Sequence, residues 1–189
     1  MLIEDDIQNC LTVLQKGGII LYPTDTVWGI GCDATNENAV DKIFKLKKRQ
    51  ETKSMIILLA EEKDILNYTT HPEAVTFDYI KGINKPTTII YEGAKNLAKN
   101  LVGADGSIAI RLVNDSFCKK LIEALGKPIV STSSNISGYP APAFYQDIDI
   151  TIKNGVDYIV QHRRNDLTPA APSSIIKLEK GGHIKVIRP

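Results

Sequence analysis

Apolar positions along the chain switch between two periods, and that switching predicts the order of elements. Ile3, Ile7, Leu11 and Leu14 recur at helical spacing, behind the acids Asp5 and Asp6 and ahead of Gly17-Gly18. Acidic residues suit the positive end of a helix, and glycine stops the pattern. Ile19-Ile20-Leu21-Tyr22 then has the length and β-branched content of a buried strand, placed at 18–22. A second helix is predicted from Asn36 to Lys48, with Asn36 as its cap and Ala39, Val40, Ile43, Phe44 and Leu46 as its apolar face. Met55 to Leu59 reads as a buried strand, and Pro72 to Ile80 as a helix with proline in its first turn. Further strands are predicted at Thr87 to Tyr91, Ser107 to Leu112, Ile129 to Ser131 and Tyr158 to Val160, with a helix from Ser116 to Leu125. Ser174 to Leu178 and Ile184 to Ile187 flank the turn Lys180-Gly181-Gly182 and read as a hairpin. Strands alternating with helices and closing on a hairpin predict an α/β domain with a mixed sheet and helices packed on it.

Composition narrows the function classes. A chain of 189 residues suits one domain, 1–189, with a substantial core. The formal net charge of +1 gives no bulk pull toward nucleic acid or membrane. Aromatic residues are only 6% of the chain, too few to suggest a base-stacking platform. Cys10, Cys32 and Cys118 are odd in number and scattered, which reads as free thiols in a reducing compartment. The acidic start is not a signal peptide, and no apolar run approaches the roughly 20 residues of a membrane span. A cytoplasmic location is the expectation.

Candidate chemistry is concentrated in two loops and one basic stretch. After the first strand, Pro23-Thr24-Asp25-Thr26 puts three side-chain oxygens into a turn, and Gly29 and Gly31 follow. Hydroxyls and close backbone approach suit a polar small molecule, although a lone turn of this kind is more often just a turn. A second oxygen-rich run, Ser131-Thr132-Ser133-Ser134-Asn135-Ile136-Ser137-Gly138, follows another apolar strand, and the two together read as two sides of one site. Between residues 42 and 53 stand Lys42, Lys45, Lys47, Lys48, Arg49 and Lys53 against the single acid Glu51. Most such runs are solvated helix faces. Here Lys47, Lys48 and Arg49 fall where the helix ends, so they suit its negative end and can also reach a polyphosphate. Arg111 and Arg188 each close a strand and complete a possible anion clamp. The loops Gly138 to Ala143 and His162 to Pro172 read either as flaps over a site or as static connections.

Other chemistries are disfavoured. No Gly-x-x-x-x-Gly-Lys-Ser/Thr occurs. Gly29-Ile30-Gly31-Cys32-Asp33-Ala34 matches the loose dinucleotide pattern, but Pro23 to Thr26 intervene after the strand and the following helix starts too late. His71, His162 and His183 are dispersed, so no metal site is expected. Ser131 to Ser134 lack a nucleophile elbow and read as binding hydroxyls.

In order along the chain, Tyr22-Pro23-Thr24-Asp25-Thr26-Val27-Trp28-Gly29-Ile30-Gly31, Lys47-Lys48-Arg49, Pro86-Thr87-Thr88, Ser107-Ile108-Ala109-Ile110-Arg111, Pro128 to Gly138, Pro172-Ser173-Ser174-Ile175-Ile176 and Val186-Ile187-Arg188-Pro189 resemble the signature elements of the YrdC-like family of threonylcarbamoyl-AMP synthases. The resemblance is collinear over nearly the whole chain and looks like the short form, without an extra C-terminal domain. It implies a twisted mixed sheet with flanking helices and a large concave cavity. It also implies that L-threonine, bicarbonate and ATP, with Mg²⁺ carried by ATP, give threonylcarbamoyl-AMP and pyrophosphate for partner proteins that modify tRNA. On that resemblance Lys47, Arg49 and Arg111 serve the phosphates and leaving group, with Lys53 as a further phosphate contact. Thr24 and Ser131 hold threonine; Thr88, Ser133 and Asn135 line the nucleotide side; Ser173 and Arg188 form the far wall. Gln50 and Asn84-Lys85 depart from the family pattern, and no glycine follows the final Arg-Pro. The alternative reading is a YrdC-like paralogue that binds nucleotide, or tRNA or double-stranded RNA, without synthase activity.

Overall fold

The computed structural model describes residues 3–49, 55–70, 82, 85–178 and 183–189. Helix α1 (Ile3–Gln15) carries Glu4, Asp5 and Asp6 in its first turn and buries Ile7, Cys10, Leu11 and Leu14. Helix α2 (Glu37–Lys47) is capped by Asn36, whose side chain accepts from the Ala39 amide, and it ends where Lys48 turns left-handed at φ 51°. Helix α4 (Ser116–Leu125) is capped by Asp115 and stopped by Gly126 at φ 68°, a conformation that favours glycine. Two short helices, α3 (Ile65–Tyr68) and α5 (Ile150–Asn154), were not predicted. At four and five residues each, they are too brief to show a helical period.

The strands are β1 (Ile20–Tyr22), β2 (Gly29–Gly31), β3 (Ile56–Leu59), β4 (Thr87–Tyr91), β5 (Ile108–Leu112), β6 (Ile129–Ser133), β7 (Tyr158–Ile159), β8 (Ser174–Leu178) and β9 (Ile184–Arg188). They form one mixed sheet in the order β7-β1-β2-β6-β3-β5-β4-β8-β9. β1/β7, β3/β5 and β4/β8 are parallel, and the remaining neighbours are antiparallel. The mixed α/β expectation holds. The hairpin of β8 and β9 is present, but its turn, 179–182, and the helix expected at 72–80 lie outside the described residues.

One expectation is corrected. Gly29-Ile30-Gly31 is a strand and not part of the loop. Glycine is a poor strand former, so propensity hides it. Packing requires it, because a Cβ on Gly31 would stand 2.5 Å from the Val130 carbonyl oxygen and 2.7 Å from the Tyr22 ring. The dinucleotide reading fails with the loop.

Alternation sends successive strand residues to opposite faces. On one face Leu21, Ile30, Ile57, Leu59, Ile89, Ile110 and Val130 pack with Ala39, Val40, Ile43 and Phe44 of α2. On the other, Ile20, Tyr22, Leu58 and Ile129 pack with α1 and α4 through Leu11, Leu14, Phe117 and Leu121. Each such side chain, fully buried, contributes roughly 1.5–3 kcal/mol. The two helices cover only part of their face. Along the same strands the residues beyond them are polar: Arg111 on β5, and Ser131 and Ser133 on β6. That uncovered stretch of sheet is the floor of a cavity.

Candidate active site

The cavity measures about 380 Å³. Its walls include Thr26 and Val27 from the β1–β2 turn, Gly29 at the start of β2, Arg49 after α2, Ile56 and Arg111 from the floor, Ser131, Thr132, Ser133 and Asn135 from β6 and its loop, Tyr139 and Ala141, and Pro172, Ser173, Ile175 and Arg188. Seven of the eleven expected residues therefore converge: Arg49, Arg111, Ser131, Ser133, Asn135, Ser173 and Arg188. Lys53 lies outside the described residues. Larger hollows of about 520 and 490 Å³ lie nearby. The first is reached by Ile89, Ile110 and Leu112, the alternate side chains of the same strands, and it lacks the guanidinium groups. The second lies behind the 135–142 loop and shares Asn135, Tyr139 and Ala141 with the cavity.

Three expected residues stand behind the wall. Lys47 is 1% exposed. Its Nζ donates to the carbonyl oxygens of Ser133 and, at 2.6 Å, Asn135, so it ties the serine-rich loop to the end of α2 and is not in the cavity lining. Burial, aided by the Arg49 charge, pushes its ammonium down to about 7, while the carbonyl acceptors favour the protonated form. Thr24 is also 1% exposed. Its Oγ1 accepts from the Thr26 amide at 3.0 Å, donates to the Val27 carbonyl and lies 2.9 Å from the Thr26 hydroxyl. Thr26, not Thr24, is the hydroxyl at the wall. Thr88 is fully buried and bonds Ser173 Oγ at 2.8 Å. All three shape the site from beneath. The three placements share one cause: a motif gives position along the chain but not the direction of a side chain.

The cations are held by built partners. Arg49 follows the left-handed Lys48, and its amide donates to the Phe44 carbonyl at 2.9 Å, which closes α2 and turns the chain toward the cavity. Arg111 is 3% exposed and ion-pairs with Asp25 Oδ1 at 3.0 Å; its Nε is buried without a hydrogen-bond partner. Arg188 grips the Ser173 carbonyl through Nε at 2.9 Å and Nη2 at 2.6 Å. Burial pushes Arg49 down from its usual value, and burial together with the Arg111 charge does the same to Arg188. Like charges brought together at partly buried positions favour an anion among them. In the loop after β6, Asn135 Nδ2 donates to the Ile136 and Tyr139 carbonyls, while its Oδ1 and the hydroxyls of Ser134 and Ser137 are buried and unpartnered.

The expectations missed Thr26, Thr132, Tyr139, Ala141 and Pro172 as wall residues. Thr26 and Thr132 stood inside the oxygen-rich runs, so the signal was present. Tyr139 and Ala141 carried none beyond their place in an irregular loop. Among the described residues no cluster of His, Cys, Asp or Glu fits a metal ion, and no helix is long and apolar enough to cross a membrane. All three cysteines are buried free thiols, and burial raises their pKa values, which leaves them unreactive.

The family model Sua5_yciO_yrdC, described as "Telomere recombination", matches residues 12–189. The chain belongs to the Sua5/YciO/YrdC family. A threonylcarbamoyl-AMP synthase of Pseudoalteromonas translucida is 35% identical over 138 residues, covering 71% of this chain and 74% of that protein. Among solved structures, P. abyssi Sua5 complexed with L-threonine superposes with a TM-score of 0.85 at 24% identity, over 97% of this chain and 53% of that one. E. coli YciO gives 0.84 at 24% identity, over 99% of this chain and 89% of that one. These two likenesses establish the fold: the twisted mixed sheet with flanking helices is that of the Sua5/YciO/YrdC family.

Proposed function

We propose that this chain is a threonylcarbamoyl-AMP synthase, with residues 1–189 as one catalytic unit. The observation that carries this reading is the convergence of Arg49, Arg111 and Arg188 on one cavity that the Thr26, Ser131 and Ser133 hydroxyls also line. The relative that shares 35% identity bears the same activity in its name.

Bicarbonate first carboxylates the threonine amine and water leaves. An oxygen of the resulting carbamate attacks the α-phosphorus of ATP, the bond to the bridging oxygen breaks, and pyrophosphate departs. No protein nucleophile is needed. The protein holds two reactants in line and offsets charge that builds on the phosphates, which fixed guanidinium groups do well in a partly dry cavity. Arg49 and Arg111 serve the phosphates, with Arg188 on the far wall. Thr26 and Ser131 hold the amino acid, and Thr24 sets Thr26. Ser133 and Asn135 face the nucleotide, and Ser173 is fixed by Thr88 from behind. Lys47 fixes the loop that presents Ser133 and Asn135. Mg²⁺ arrives with ATP and needs no protein cage.

The product then passes to partner proteins that modify tRNA, so the chain works in the cytoplasm where threonine, ATP and tRNA meet. Direct binding of tRNA or double-stranded RNA is the rival reading, and a net charge of +1 gives it little support. Pyrophosphate release from ATP, measured with and without threonine and bicarbonate, tests the proposal. Release that requires both supports it; release indifferent to either overturns it.

A further inference from the structure

Arg163 lies outside the cavity wall, in the segment that leads to Pro172 and Ser173. Its backbone is left-handed, at φ 64°. That region is unfavourable for a residue with a Cβ. Lys48 shares the conformation as the end of a helix, but Arg163 ends no helix. What holds it there is visible on both sides.

The chain before it is anchored by Asp6, a buried carboxylate on α1. Asp6 accepts from the Tyr158 hydroxyl at 2.6 Å, the Gln161 amide at 2.9 Å and the His162 amide at 2.8 Å. The left-handed residue then sends two consecutive arginines to the two ends of the same turn. Arg163 Nη1 donates to the Thr24 carbonyl at 2.9 Å and to Asp115 Oδ2 at 3.2 Å, and its Nε to Asp166 Oδ2 at 3.0 Å. Arg164 lies over the Tyr145 ring at 5.0 Å, and Tyr145 packs on Trp28 with ring centroids 5.0 Å apart. Residues 24 to 28 are thus gripped at their start by one arginine and at their end through a ring stacked on the next. Inside the turn, Thr24 passes the constraint on, because its Oγ1 holds both the amide and the hydroxyl of Thr26.

We propose that Arg163 is a positioning residue for the amino-acid subsite: by holding the Thr24 carbonyl it fixes the Thr26 hydroxyl at the cavity wall. The inference rests on the synthase reading, in which that turn holds threonine.

The test uses the full chain and three variants. Arg163→Gly suits the left-handed backbone, so it removes the tie without adding strain. Arg163→Ala removes the tie and keeps the strain. Arg163→Lys keeps one donor to the carbonyl. Loss of one charged hydrogen bond to the turn raises the KM for threonine about tenfold in both Arg163→Gly and Arg163→Ala, with kcat and the KM for ATP within about twofold. Arg163→Lys recovers part of the loss. Equal rises in both KM values, or no change in either, overturn the proposal. Hydrogen exchange gives a readout that needs no turnover: the Thr26 amide exchanges about tenfold faster in Arg163→Gly while amides of β3 do not change. Unchanged protection of Thr26 overturns the positioning role whatever the wild type catalyses. Faster exchange in a protein whose wild type releases pyrophosphate without threonine supports the tie and overturns the synthase reading instead.

Discussion

The ammonium of Lys47 lies 2.6 Å from the carbonyl oxygen of Asn135, eighty-eight residues away, and it also donates to the carbonyl of Ser133. A helix end and a β-strand loop are thereby locked around one buried cation. Lys47→Met fills similar volume but leaves two buried acceptors without donors. Its expected cost is about 2 kcal/mol, read from urea unfolding. The same lysine gives a pH signature. Its pKa is about 7 folded and the ordinary 10.5 unfolded. Below 7 both states carry the proton and the full cost of burying it. Above about 7 the unfolded state binds more protons at this lysine, so stability rises with pH. Above about 9 the trend reverses, because burial raises the three cysteine thiols and the unfolded state loses those protons first. The rise from about 7 to about 9 is expected in the wild type and absent in Lys47→Met.

Arg111 and Asp25 form an ion pair in which the arginine is 3% and the aspartate 11% exposed. Removing one partner of such a pair is costly because the other charge is left behind. Arg111→Ala is expected to lose about 3 kcal/mol of stability together with activity. Arg111→Lys keeps the charge but not the planar fork. It is expected to stay folded and to lose the stabilisation that pyrophosphate gives the wild type, measured as a thermal shift. An equal shift in both proteins removes Arg111 from the phosphate site.

Most of the frame was legible before any coordinates. Helices α1, α2 and α4 have clear apolar faces, Asn36 is legible as the cap of α2, and eight of the nine strands were expected within two residues of their observed ends. β2 was hidden because two of its three residues are glycine, and at Gly31 the Val130 carbonyl and the Tyr22 ring leave no room for a Cβ. For β6 the run was cut short because Thr132 and Ser133 are polar, and Ser133, like Ser131, stands on the face that floors the cavity and not over a core. In the site, residue identity was legible and orientation was not. Lys47, Thr24 and Thr88 belong to motifs that surround the cavity, yet each points its polar atom at protein. Arg163 carried no signal, since its role depends on a left-handed kink and on a carbonyl 139 residues away.

Arg49 lies at the wall, half-buried, and its side chain contributes little to either core cluster. Arg49→Ala is therefore expected to lower threonine-dependent pyrophosphate release about a hundredfold, the scale of removing one preorganised charge. Its unfolding free energy should move by no more than about 1 kcal/mol. Unchanged turnover removes Arg49 from the mechanism.

Two glycines on one strand separate folding from function. A Cβ on Gly31 meets the Val130 carbonyl at 2.5 Å, the Tyr22 ring at 2.7 Å and Ile129 at 3.0 Å, all inside the sheet. None of these can give way without opening the β2–β6 pairing or moving a fully buried tyrosine, so Gly31→Ala is expected to cost about 3 kcal/mol or more. A Cβ on Gly29 meets only Ser131 Oγ at 3.2 Å, with the Thr132 carbonyl and the Tyr22 ring at ordinary contact distance of 3.5 Å. A hydroxyl can rotate by a few tenths of an ångström. Gly29→Ala is therefore expected to fold with a loss under about 1 kcal/mol. Its methyl group, however, enters the cavity beside Ser131, where the amino acid is proposed to sit. The KM for threonine should rise about tenfold with the KM for ATP unchanged, whereas for Gly31→Ala the lost activity should track the lost folded fraction. If Gly29→Ala raises both KM values alike, the amino acid does not lie against β2.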